Sequence, residues 1–186
     1  MSDTDIINTA QQDFNCISKK RRILSLVLYI VITAVLTQID QITKYIAEQR
    51  LYNKPDFVII KDVLHLTYLR NNGSAFGMFS GKINAFLVLT VIMICLITYV
   101  VLKMPLIIKY TPVYITCILL AAGAIGNFID RVRFGYVRDF IYFKIINFPV
   151  FNVADCYVTV SVIIFIILIL FIYKNEDDFV FLSLKK

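Results

Sequence analysis

Apolar residues dominate four long stretches of the chain, at about 23–39, 83–102, 112–129 and 153–173. A helix needs about 20 residues to cross a bilayer core about 30 Å thick. The first stretch has only Ser25, Thr33, Thr37 and Gln38 as clearly polar side chains, and the second has no charge. The third begins at Pro112, a residue suited to a first helical turn. The fourth carries one charge, Asp155, near its start. Backbone groups in hydrocarbon must bond internally, so the pattern predicts four transmembrane helices. Together they form a single membrane domain over residues 1–186. A cleavable signal peptide fits the first stretch poorly, because 22 residues precede it and no small-residue cleavage site is visible.

The segments between the helices have patterns of their own. In the longer loop at about 40–82, Leu64, Leu66 and Tyr68 alternate with His65 and Thr67, the period of a strand. Asn72-Gly73 is a strong turn pair, because both residues tolerate positive φ. This predicts a small β-ribbon resting on the membrane. The loop at about 130–152 mixes Phe134, Tyr136, Phe140, Tyr142, Phe143, Phe148 and Phe151 with basic residues. It reads as an amphipathic aromatic loop at headgroup level, where such rings are favoured. The acidic run Asn175 to Asp178 reads as a solvated tail.

Composition agrees with a membrane chain. Hydrophobic residues are 59% and charged ones 17%, where soluble domains have about 45–50% apolar residues. This argues against a soluble enzyme, a disordered tail and a coiled coil. The net charge is +6, and the basic residues sit between apolar runs, so anionic lipid headgroups rather than nucleic acid are the expected partner. Four spans put both termini on one side. The nineteen basic residues divide nine to ten between the two sides, so a bare count does not orient the chain. The Lys19-Lys20-Arg21-Arg22 cluster abuts the first span and places both termini in the cytoplasm, with the two longer loops outside. Cys16, Cys95, Cys117 and Cys156 have no metal or disulfide spacing, and His65 is the single histidine.

Ionisable residues at the ends of membrane spans are costly and point to function. Asp40 and Lys44 share a helix face at i,i+4. They read either as an ion pair that ends the first helix and reaches the headgroups, or as part of a site. Asn127, Asp130 and Arg131 share a face at the end of the third span. They make either a polar cap with an Asp130–Arg pair or a scaffold that orients another acid. Asp155, with Asn152 three residues earlier, could simply complement the dipole of the fourth helix. However, Asp139 and Asp155 flank one short aromatic loop at the same membrane face. Two carboxylates brought close and shielded there cannot easily both ionise. One would hold a proton while the other activates water, as in aspartic proteases. No G-x-S-x-G, H-E-x-x-H or Gly-rich phosphate loop is present. Cys156 lacks a nearby base to activate it.

These residues fall in five ordered blocks that resemble the lipoprotein signal peptidases (signal peptidase II). Asp40-Gln41-Ile42-Thr43-Lys44 is similar to the family's D-x-x-x-K block. Asn71-Asn72-Gly73-Ser74-Ala75-Phe76 is similar to N-x-G-A-A-F, with Ser74 for Ala. Gly123 to Arg131 is similar to G-x-x-G-N-x-x-D-R. Val137-Arg138-Asp139-Phe140 is similar to V-x-D-F, and Phe151-Asn152-Val153-Ala154-Asp155 to F-N-x-A-D. Phe148 stands where a Trp is frequent and Cys156 where Ser is common. The resemblance runs from the first span to the fourth and leaves the first 20 residues and the acidic tail outside.

The resemblance implies an all-α membrane protein of four helices with a small extracytoplasmic β-ribbon. It implies an aspartic endopeptidase of the bacterial cytoplasmic membrane, with its active site at the outer face. The substrate would be a diacylglyceryl-modified prolipoprotein, cut before the lipidated cysteine without metal or other cofactor. Asp139 and Asp155 would be the catalytic pair. Asn127, Arg131 and Asn152 would orient them or the substrate. Asp40, Lys44, Asn71 and Asp130 would support the site, and Asp40, Lys44 and Asn71 could also contact substrate. Membrane lipids would surround a chain expected to be monomeric. A small transporter using Asp40, Asp130 and Asp155 would need acids at mid-membrane, whereas these lie at span ends. A non-catalytic assembly subunit is the other alternative. A lipid phosphotransferase would need an acidic cluster such as D-x-x-D-G, which is absent.

Overall fold

A computed structural model describes residues 3–73, 83–105, 107–174 and 176–182. It contains helices α1 (Asp3–Leu51), α2 (Ile83–Lys103), α3 (Thr111–Phe134) and α4 (Val153–Ile167), the last continued by a π-helical turn, Leu168–Ile172. Lys19–Leu51, Asn84–Lys103, Ile108–Phe134 and Val153–Ile172 are each long and apolar enough to cross a membrane. Their outer faces stay apolar where no protein covers them: Val88, Ile92 and Leu96 on α2 and Ile163, Ile166 and Leu170 on or beyond α4 are exposed. Such faces suit hydrocarbon rather than water.

The first helix does not end at Ile39, where the sequence pattern loses its unbroken apolar run. It continues for twelve residues to Leu51, because Asp40 and Lys44 turn inward and no Gly or Pro interrupts the segment. Asn53 at φ 56° then breaks the helix, a left-handed conformation that Asn tolerates.

Helix α3 packs against α1, α2 and α4 and is the centre of the bundle. Pro112 lies in its first turn, and Gly135 ends it at φ 77°, donating its N–H to the Arg131 carbonyl. Small residues allow the close approach: Ala121 and Ala122 have no accessible surface. At Gly123 a Cβ would lie 2.5 Å from the Ala154 carbonyl oxygen, and at Gly126 a Cβ would lie 2.5 Å from Asp40 Oδ2. Gly126→Ala therefore displaces either α3 or the Asp40 carboxylate. A loss of about 1–3 kcal/mol is expected, the usual cost of overpacking. Thermal unfolding in detergent checks it, and an unchanged melting temperature would refute the close packing.

Three antiparallel strands, β1 (Phe57–Ile60), β2 (Leu64–Asn71) and β3 (Val137–Phe143), form one sheet in that order. The ribbon expected from the sequence is present as β1–β2, but its turn lies at residues 61–63, with Asp62 at φ 58°, and not at Asn72-Gly73, which follows the end of β2. The aromatic loop is not merely an interfacial segment, since residues 137–143 supply a third strand. The alternation there is hidden by aromatics on both faces, and pairing with β2 reveals it. The register sets Leu69 opposite Asp139, Arg70 opposite Arg138 and Asn71 opposite Val137, after an irregularity between Leu66 and Leu69. Arg70 and Arg138 would repel across the strands. Each has its own partners: Arg70 lies over the Tyr52 and Tyr136 rings, and Arg138 bonds to acids. Phe151 exchanges backbone hydrogen bonds with Ile141, which ties the segment before α4 to β3.

The far end of the bundle is closed by Tyr110, Tyr173, Phe179 and Phe181, with Tyr110 and Tyr173 stacked 5.8 Å apart. Here the acidic tail departs from the solvated reading at Asp178. That residue is buried, pairs with Lys109, and accepts from the Tyr110 hydroxyl at its backbone oxygen, 2.8 Å away. The aromatic residues that follow Asp178 pull it inward. Residues 74–82, which include the Ser74-Ala75-Phe76 part of one block, lie outside the described residues.

Candidate active site

The site is assembled where α1, the C-terminal end of α3, the start of α4 and the sheet meet. Asn152 caps α4: its side-chain oxygen accepts from the Asp155 N–H at 3.0 Å, and its own N–H donates to Asp155 Oδ2 at 3.1 Å. This capping box fixes Asp155 at the head of the helix. The helix-start and functional readings of Asp155 are thus compatible. The same Asn152 donates from Nδ2 to Asp139 Oδ1 at 2.6 Å and to Asn127 Oδ1 at 3.1 Å. Asn127 donates to Asp155 Oδ1 at 2.8 Å, and Asn71 donates to Asp139 Oδ2 at 2.8 Å. Three asparagine amides therefore hold two carboxylates that lie sixteen residues apart in sequence.

Both carboxylates line one cavity of about 700 Å³, together with Asn71, Asn127, Arg131 and Phe86. Its remaining wall is largely apolar and includes Phe148, Phe151, Val158 and Val160. Asp139 is almost fully buried. Burial pushes its carboxyl up, the negative charge of Asp155 pushes it further, and the Asn71 and Asn152 amides pull it partly back, which leaves it at about 7. Arg131 donates weakly to the Asn127 carbonyl at 3.5 Å and lies over the Phe86 ring.

Behind this pair lies a charged layer that does not reach the cavity. Lys44 and Asp40 are wholly buried, with Lys44 Nζ 2.9 Å from Asp40 Oδ2, 3.6 Å from Asp130 Oδ2 and 2.9 Å from Asn127 Oδ1. They do not snorkel to the headgroups, since neither side chain has accessible surface. The reason is geometric: the face of α1 they occupy packs against α3 and the start of α4, where Asp40 accepts the Ala154 N–H at 2.9 Å. Asp130 does pair with an arginine, but the partner is Arg138 rather than its neighbour Arg131. Arg138 donates to it from its backbone N–H at 3.0 Å, Nε at 3.2 Å and Nη2 at 2.8 Å.

Sequence reasoning missed Arg138, Gln41 and Glu48 as members of this layer. Gln41 donates to Asp40, Asp130 and the Gly126 carbonyl and accepts from Arg138, while Glu48 accepts from Arg138 at 3.4 Å and from Tyr68 at 3.0 Å. Burial opposes the Arg138 charge, but Asp130 and Glu48 outweigh it and raise its proton affinity. The available signal was strand alternation: if Asp139 faces the cavity, Arg138 faces the opposite side, towards α1 and α3. Among the described residues, no group of three or more His, Cys, Asp or Glu side chains is placed to hold a metal ion.

Residues 32–171 match the family model described as Signal peptidase (SPase) II. The chain belongs to the signal peptidase II family. A lipoprotein signal peptidase of Caldanaerobacter subterraneus subsp. tengcongensis is 45% identical over 143 residues, covering 76% of this chain and 95% of that one. One from Enterococcus faecalis is 44% identical over 146 residues, covering 78% and 89%. A bacterial membrane enzyme solved by the in meso method at 2.3 Å resolution superposes with a TM-score of 0.70 at 36% identity, over 81% of this chain and 92% of that one. The chain is therefore an endopeptidase of the signal peptidase II type, built on four apolar helices and a three-stranded sheet.

Proposed function

We propose that this enzyme removes signal peptides from prolipoproteins by cutting before the diacylglyceryl-modified cysteine, with Asp139 and Asp155 as its catalytic pair. The observation that carries this reading is that both carboxylates line one largely apolar cavity and are joined through Asn152, which donates to Asp139 from its side chain and to Asp155 from its backbone N–H. Asp155, fixed by the N–H groups of Asn127 and Asn152, takes a proton from water as the hydroxyl attacks the scissile carbonyl carbon. Asp139 gives its proton to the carbonyl oxygen. The C–N bond then breaks, the proton held by Asp155 passes to the leaving amine of the cysteine, and the hydroxyl proton of the intermediate returns to Asp139. The products are the carboxyl end of the signal peptide and a new N-terminal cysteine. No step calls on a metal or cofactor.

The same geometry supports a membrane placement. The site lies at the C-terminal ends of α1 and α3, opposite the Lys19 to Arg22 cluster, so cytoplasmic termini put it at the outer face of the bacterial cytoplasmic membrane. The apolar wall formed by Val158 and Val160 of α4 continues towards the bilayer and suits the diacylglyceryl chains, while the sheet borders the peptide. The chain acts as a monomer in this reading.

The test is cleavage of a purified lipidated prolipoprotein beside its unlipidated precursor. Only the lipidated form should be cut, at the bond before cysteine as read by mass spectrometry, and chelator should have no effect. Cutting of both forms equally would remove the lipid from the recognition. The pH profile adds a second expectation. The working pair holds one proton, and Asp139 loses its proton as the pH rises through about 7. Cleavage should therefore fall on the alkaline side with a midpoint near 7. A rate that keeps rising to pH 9 would assign the proton elsewhere.

A further inference from the structure

A second cavity, of about 670 Å³, lies on the other side of β3 from the catalytic pair. Its walls are Ile46, Ala47 and Leu51 of α1, Phe57 of β1, Leu66 of β2 and Phe140 of β3. Its size is that of a small-molecule site (about 300–1,000 Å³). The groove opens towards an exposed apolar stripe on α1, where Ile39, Ile42 and Ile46 recur at helical spacing. The neighbouring strand β1 is apolar and exposed along all four residues. Its apolar side chains suit a lipid surface, while its unpaired backbone edge needs polar partners, a combination met at headgroup level.

Depth fixes the setting. Lys19–Leu51 has 33 residues, a length of about 50 Å at 1.5 Å per residue. That exceeds the roughly 40–45 Å of a bilayer with its headgroups. With Lys19 to Arg22 at the inner surface, the mouth of the groove therefore stands at the outer headgroups. At that mouth are two exposed cations, Arg50 and Lys54. Among the described residues, Arg50 makes no ion pair, and the ammonium of Lys54 donates to the Gln49 carbonyl, at 3.3 Å, and pairs with no acid. The acid at the mouth, Asp56, faces His65 Nδ1 at 3.4 Å.

We infer that this groove binds one anionic phospholipid, with an acyl chain against Phe57, Leu66 and Phe140 and its phosphate between Arg50 and Lys54. Charge separates this occupant from the substrate's own lipid. A diacylglyceryl thioether carries no phosphate and gives the two cations nothing to pair with. The bound lipid would fasten the end of α1 and β1, the outer strand of the sheet that carries Asp139, to the membrane surface.

The test is native mass spectrometry of the full chain in neutral detergent, titrated with dioleoyl phosphatidylglycerol or dioleoyl phosphatidylcholine. One phosphatidylglycerol should bind in preference to phosphatidylcholine. The Arg50→Gln/Lys54→Gln variant should bind phosphatidylglycerol about 30-fold more weakly, and each single variant about fivefold more weakly. These residues are exposed and outside the catalytic site, so a wild-type melting temperature verifies each variant. Inorganic phosphate and glycerophosphoglycerol, the headgroup without chains, should not compete. Equal binding of the two lipids, or an undiminished preference in the variants, would overturn the proposal. Competition by the chain-free anions would replace the lipid groove with a simple phosphate site.

Discussion

Asp139→Asn and Asp155→Asn should each lower cleavage of a lipidated prolipoprotein by about 10²–10⁴-fold, the range for removing a positioned acid or base. The two losses have different origins. Asn at 155 cannot take a proton from water, although its amide can still satisfy part of the capping box with Asn152. Asn at 139 cannot give a proton to the carbonyl oxygen. It also presents an amide to Asn71 and Asn152, both of which donate to Asp139 in the wild type. Substrate binding should survive in both variants, because the apolar wall that receives the lipid is untouched. Single-turnover cleavage beside equilibrium binding of the lipidated precursor separates the two quantities. Because the carboxylates act as one unit, the double variant should be little slower than either single one. Full activity in either single variant would remove that aspartate from the catalytic pair. Multiplied losses in the double variant would show two independent contributions.

Lys44→Met should be the most damaging substitution for stability, at about 3–5 kcal/mol, the cost of breaking a buried ion pair by removing one partner. Lys44 has no accessible surface and sits between Asp40 and Asp130, both equally buried. Arg138 would still compensate Asp130, but Asp40 would keep only uncharged donors from Gln41 and Ala154. The second variant Asp40→Asn/Lys44→Met removes the stranded charge and should recover part of the loss. Denaturant or thermal unfolding in detergent measures both. A Lys44→Met protein as stable as wild type would mean that Asp40 is not charged in the folded state. Activity should fall as well, because Lys44 also donates to Asn127, which positions Asp155.

The four helices were legible because hydrocarbon permits few solutions: a long apolar run must hydrogen-bond with itself. Strand β2 was legible from alternation around Leu64 to Tyr68, whereas the turn that pairs it with β1 lies at Asp62 and not at the expected Asn72-Gly73. The catalytic candidates were legible for two reasons. Acids at span ends are rare and costly, and the ordered blocks around Asp139 and Asp155 resemble one family. Asn71 and Asn152 entered with those blocks, and the structure shows both donating to Asp139.

Other features depended on which face of an element meets another element. Asp40 and Lys44 at i,i+4 looked the same in sequence whether they ended a helix at the headgroups or were sealed inside it. The choice fell to α3, whose Gly126 lets the Asp40 carboxylate approach its backbone. Likewise, Asp130 could pair with Arg131 or with an arginine elsewhere. The turn at Gly135 folds β3 back so that the Arg138 backbone and side chain both reach Asp130. The third strand was hidden because aromatics fill both of its faces, and Asp178 looked solvated until Lys109 and Tyr110 closed around it.

By itself, then, the amino-acid order determined the number of membrane helices, the end of the bundle at which acids gather, and the residues able to do proton chemistry. Those properties follow from local hydropathy, helical spacing and side-chain type. Tertiary structure alone decided which acids share a cavity and which serve behind it. It brought Asp139 and Asp155 to one shared asparagine, Asn152, and buried the Asp40–Lys44 pair. The physical reason is that hydrogen bonds and ion pairs act over about 3–4 Å, and only the folded chain brings residues so far apart in sequence to that distance.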